Sequence, residues 1–181
     1  FAGTYGHPRH VISVSVYGFT LILLYTASTL YHSIRAPRTK SILQILDHAA
    51  IYMLIAGTYT PFTLVNLRGP WGWSLFAFVW CLAFIGTAIQ FGQMERWRVV
   101  SLGLYVGMGW TVLVAIKPLI SSVATGGLIL LLLGGLAYTF GILFYRWKSL
   151  KFHHAVWHIF VLTGSSLHFF AVLFYVIPIQ S

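Results

Sequence analysis

HHAVWHIFVLTGSSLHFFAV (residues 153–172) is apolar enough to sit inside a bilayer, yet it carries His153, His154, His158 and His168. About 20 consecutive apolar residues cross a hydrocarbon core as one helix. Ionisable groups within such a helix are costly, and they usually serve a function. The stretch therefore sets the fold class and also raises the question of what its histidines do.

Outward from this stretch, the composition agrees. Charged residues make up 7% of the 181 and hydrophobic residues 59%; mean hydropathy is +0.85. A soluble domain carries roughly 25% charge, so the chain reads as an all-α polytopic membrane protein forming a single domain, 1–181. Six spans are expected, at 10–33, 46–66, 71–91, 99–116, 122–146 and 154–177. Gly57 and Pro61 fall inside one of them, as membrane helices tolerate. The GGLILLLLGGL run (126–136) reads as ordinary helix packing. Cys81 is the single cysteine; it excludes an intrachain disulfide or a Cys-based zinc site and reads as a small core residue. The chain begins at Phe1 with no signal-peptide pattern, so the expectation is an N-terminal truncation.

The net charge of +9 does not argue for nucleic acid, because the cations sit between the oily segments. Arg35, Arg38, Lys40, Arg96, Arg98, Arg146, Lys148 and Lys151 lie in the loops after the first, third and fifth spans, against Arg9, Arg68 and Lys117 on the other side. The positive-inside rule puts the first set in the cytoplasm and the C-terminus outside. One further helix before residue 1 would make seven spans.

With that orientation, polar residues from three helices meet at one membrane face. His32 ends the first span, Asp47 opens the second, and His154 and His158 open the last. His154 and His158 are four residues apart, hence on one helical face. Three histidines plus water is a catalytic zinc arrangement, in which the metal activates the water. Asp47, one of two acidic residues, could be a general base, orient a histidine, ligate the metal, or merely complement a helix N-terminus. Ser28, four residues before His32, could donate a hydrogen bond to the site or bond back to its own helix. His168 reads as a hydrogen bond to a neighbouring helix, or as a cavity-lining group, rather than a ligand. His48 and His153 read as interfacial, His7 and His10 as external, and Glu95 as solvated within a basic loop. Trp71, Trp73, Trp80 and Trp110 read as interface belt or packing.

At these residues the chain resembles the hemolysin III family, the prokaryotic branch of the progestin and adipoQ receptor family. The matching stretches are Ser28 to His32, Asp47, and HAVWHIFVLTGSSLHF from His154 onward. The resemblance implies seven helices, a zinc ion near the cytoplasmic surface of a bacterial inner membrane, His32, His154 and His158 as its ligands, and Asp47 holding a bound water with Ser28 beside it. It also implies hydrolysis of a ceramide-type lipid amide. The competing expectations are a non-enzymatic, receptor-like regulator of membrane homeostasis with a structural zinc and, last, a cytolysin. A cytolysin needs a polar stripe along several helices, and the polar residues here gather at one end.

Overall fold

The computed structural model describes residues 8–93 and 98–177; His7, Glu95 and Arg96 lie outside them. The described residues are mostly helical, with no strand among them. The helices are α1 (Pro8–Ser33), α2 (Pro37–Pro61) with a π-helical continuation (Phe62–Asn66), α3 (Pro70–Gln93), α4 (Arg98–Trp110) with a 3₁₀ segment (Thr111–Ala115), α5 (Ile116–Ser122), α6 (Thr125–Arg146) and α7 (His153–Tyr175). They make six segments long and apolar enough to cross a membrane. The outward-facing side chains are those that lipid favours: Phe19, Ile22, Phe84, Ile129, Leu143 and Ile159 are all exposed. Helices apolar on every side are what a bilayer, not water, stabilises.

Two boundaries differ from the sequence expectation. The second span starts at Pro37, not at residue 46. Pro37 occupies the first helical turn, where its missing N–H costs nothing; Arg38 and Lys40 then ride on an exposed polar turn that a hydropathy window leaves out. The fourth span runs on to Ser122, so Lys117 and Pro118 are helical residues rather than loop. Cys81 is also corrected: it is exposed on α3, and so is not a core residue.

The chain packs as two compact units, Phe1–Ala115 and Ile116–Ser181. In the first, Tyr17, Tyr52, Val79, Gln90 and Met108 are fully buried. Polar groups here are tied across helices: Gln90 Nε2 donates to Ser101 Oγ at 2.8 Å, and Tyr105 Oη to the His48 carbonyl at 2.9 Å. Pro61 removes a backbone donor at the end of α2. Around it, Thr58, Thr60 and Thr63 hydroxyls donate to the carbonyls of Leu54, Ala56 and Tyr59, binding polar groups that hydrocarbon would leave unsatisfied. The 3₁₀ break after α4 is held by one phenol. Tyr59 Oη lies 2.9 Å from the Met108 carbonyl and 2.8 Å from that of Gly109, and it accepts the Val112 N–H at 2.9 Å.

The second unit is built on the α6–α7 hairpin. Gly127, Gly134 and Gly141 are buried on α6 at intervals of seven residues, a spacing that keeps them on one face. Each faces a large ring of α7: Tyr175, His168, and the Trp157–Phe160 pair. A methyl group at Gly141 would stand 2.8 Å from Phe160 Cβ, and one at Gly164 of α7 would stand 2.8 Å from Tyr138 Cε2. The hairpin is thus an antiparallel seam of glycines opposite rings, the close-approach packing typical of membrane helices. Within it Tyr138 Oη donates to Ser165 Oγ at 3.0 Å, and Ser165 Oγ to the Val161 carbonyl at 2.7 Å.

Candidate metal centre

The turn before α7 determines where its histidines start. Phe152 takes a left-handed backbone, φ 63°, and the His153 N–H bonds the Leu150 carbonyl at 3.1 Å. Helix begins at His153, so His154 and His158 stack one turn apart on the same face. Their Nε2 atoms lie 3.1 Å apart, with ring planes at 86°. Two imidazole nitrogens about 2.0–2.1 Å from a tetrahedral zinc would stand roughly 3.3 Å from each other. The pair already aims two donors at one point with nearly that separation. Tyr145 and Trp157, 5.4 Å apart between ring centroids, form a wall beside His154, whose ring centre is 6.3 Å from that of Tyr145.

His32 lies in the last turn of α1. Its ring is edge-on to Tyr31 at 4.7 Å, and Tyr31 in turn carries Lys40 Nζ over its face at 5.3 Å. His154 and His158 together aim two imidazole nitrogens at one point, and imidazole donors suit zinc.

Asp47 is buried, at 9% exposure. It is not the first residue of its helix. Ten residues of α2 precede it, which is about 15 Å of helix, and the first turn of α2 holds no acid. The reading of Asp47 as a charge at a helix N-terminus is therefore set aside. A carboxylate buried in a bilayer-spanning helix still demands a partner or a function. Ser28 is half-buried, one turn before His32.

The other histidines divide clearly. His168 Nε2 lies 3.1 Å from the Leu131 carbonyl, and its ring sits against Gly134; it bridges α6 and α7 as a packing group. His48 Nδ1 is 2.8 Å from the Gln44 carbonyl of its own helix. His10 is buried rather than an external loop residue, because α1 extends to Pro8. Trp80 Nε1 donates to Thr60 Oγ1 at 3.1 Å, a packing role, while Trp71 and Trp73 are exposed at the start of α3. Sequence reasoning missed the Tyr59 clamp and the Tyr138–Ser165 bond, since neither residue stands in a spacing that marks it.

Comparison with known proteins supplies the context. Residues 1–169 match the family described as Haemolysin-III related. The chain is 48% identical over 180 residues to Hemolysin-3 of Bacillus cereus, spanning 99% of this chain and 82% of that protein. It is 47% identical over 179 residues to the Hemolysin-3 homolog of Bacillus subtilis, covering 99% and 84%. A more distant human relative, the monocyte to macrophage differentiation factor, is 30% identical over 167 residues, covering 89% and 69%.

Proposed function

The chain belongs to the haemolysin III family of integral membrane proteins, and from that premise we propose that it is a zinc-dependent intramembrane hydrolase acting on a lipid amide. The observation that carries the proposal is the His154–His158 pair, whose Nε2 atoms lie 3.1 Å apart on one helical face. His32, His154 and His158 would hold the ion. Bound there, zinc supplies Lewis acidity toward a carbonyl and acidifies water. Asp47 takes the proton from the attacking water and delivers it to the leaving nitrogen, so that the C–N bond breaks and an acid and an amine result. Ser28 donates its hydroxyl hydrogen to the oxygen on which charge develops. The apolar surroundings suit an acyl chain. The reading extends to location: a bacterial inner membrane, the metal near the cytoplasmic face and the C-terminus outside, a sidedness that the distribution of basic residues supports.

In a second reading the same histidines hold a structural ion. The protein would then be a receptor-like regulator without turnover.

The test is zinc content per chain on the purified, detergent-solubilised protein, beside a His154→Ala/His158→Ala variant. About one zinc in the parent and none in the variant is the expected result. A well-folded parent without zinc would sink both readings. With zinc confirmed, release of fatty acid from a long-chain N-acyl lipid separates them: turnover supports the hydrolase, and its absence leaves the structural ion.

A further inference from the structure

The turn joining α6 to α7 carries features that neither helix packing nor the metal explains. From Arg146 to Phe152 it reads RWKSLKF, and Arg146, Trp147, Lys148, Lys151 and Phe152 are all exposed. Three cations and two aromatic rings share seven residues, with no acid among them. The two rings are the part that charge bookkeeping does not require: Trp147 is 55% and Phe152 69% exposed. Phe152 also holds a left-handed backbone at φ 63°, a conformation that is unfavourable for a non-glycine residue. The turn is nonetheless a defined one. Lys148 N–H bonds the Arg146 carbonyl at 2.9 Å, and Leu150 N–H the Trp147 carbonyl at 3.0 Å. Lys151 Nζ stands 5.3 Å from the Phe152 ring centre, which keeps this cation and this ring side by side.

We propose that this turn is a docking surface for anionic phospholipid headgroups of the bilayer the protein spans. Charge complementarity selects the occupant. Both helices of the hairpin are spanning segments, so the turn lies at the level of the headgroups, where phosphate oxygens accept from Arg and Lys, and where aromatic rings enter the upper acyl region. Each basic residue near an anionic surface adds to the attraction, and the exposed rings add apolar contact that a purely soluble anion would not offer. The left-handed Phe152 backbone turns an aromatic ring outward at the very residue before α7, so lipid seated here braces the helical turn that carries His154. The inference does not rest on the hydrolase reading, because it needs neither metal nor turnover.

The experiment uses the whole chain in detergent, with the number and affinity of retained lipids read by native mass spectrometry in parallel titrations with phosphatidylglycerol and phosphatidylcholine. The expected result is a preference for phosphatidylglycerol of about tenfold or more, from the three cations of the turn. It falls to near parity in Arg146→Gln/Lys148→Gln/Lys151→Gln. The charge-preserving Lys148→Arg/Lys151→Arg variant keeps it, which separates loss of charge from loss of fold. A second control, Arg35→Gln/Arg38→Gln/Lys40→Gln, also keeps it. The proposal is overturned if the Gln variant of the turn still prefers phosphatidylglycerol as the parent does, or if the α1–α2 control loses the preference instead. Free inorganic phosphate competing as well as the lipid would overturn the choice of a membrane occupant.

Discussion

His154 and His158 have a simple physical relation: one helical turn, two nitrogens, 3.1 Å. Removing either imidazole should therefore cost most of the metal. His158→Ala alone is expected to lower zinc occupancy by at least an order of magnitude in dialysed protein, measured by elemental analysis. Asp47 should behave differently. It is buried and is proposed as the general base, so Asp47→Asn should retain zinc while lipid-amide turnover falls by roughly 10²–10⁴, the usual worth of a general base. Loss of zinc from Asp47→Asn would reassign the residue to holding the metal. His168→Ala should leave zinc content unchanged, because its nitrogen is committed to Leu131.

At the scale of elements, two helix interactions carry stability. Tyr59 satisfies the Val112 N–H and contacts two carbonyls where α4 gives way to a 3₁₀ turn. Tyr59→Phe strands those groups in an apolar setting, and a buried unsatisfied group costs about 1–3 kcal/mol. A lowered midpoint of thermal unfolding in detergent is the expected readout, with zinc content intact. Gly134 receives the His168 ring, so Gly134→Ala drives a methyl group into it. Overpacking of this kind costs about 1–3 kcal/mol, and the same melting measurement would show it. Gly135→Ala, with open space beside it, is the matched substitution expected to change little. A melting loss as large at residue 135 would argue against the glycine seam.

At the scale of the whole molecule, the orientation expected from the basic residues is testable. In a Cys81→Ala background, which removes the exposed native thiol, Lys148→Cys should resist a membrane-impermeant maleimide in intact cells. Ser121→Cys, at the other end of its span, should react. The opposite labelling pattern would invert the topology and move the expected metal site to the outer face.

Much of this was legible in the chain alone. Six apolar segments follow from composition and length, because a bilayer accepts only helices or closed barrels and needs about 20 residues for each helix. The pairing of His154 with His158 follows from the four-residue spacing, and His32 was singled out by its place at a span end. What hydropathy could not locate was the start of α2, since Arg38 and Lys40 sit in the polar first turn that Pro37 begins. Asp47 accordingly lies ten residues into its helix rather than at its start. The partner of each glycine, the clamp of Tyr59 on a helix break, and the exposure of Cys81 were likewise beyond the sequence. Local periodicity sets which segments become helices and which residues share a face. Which face meets which neighbour depends on the interlocking of side chains far apart in the chain, and only the folded arrangement decides that.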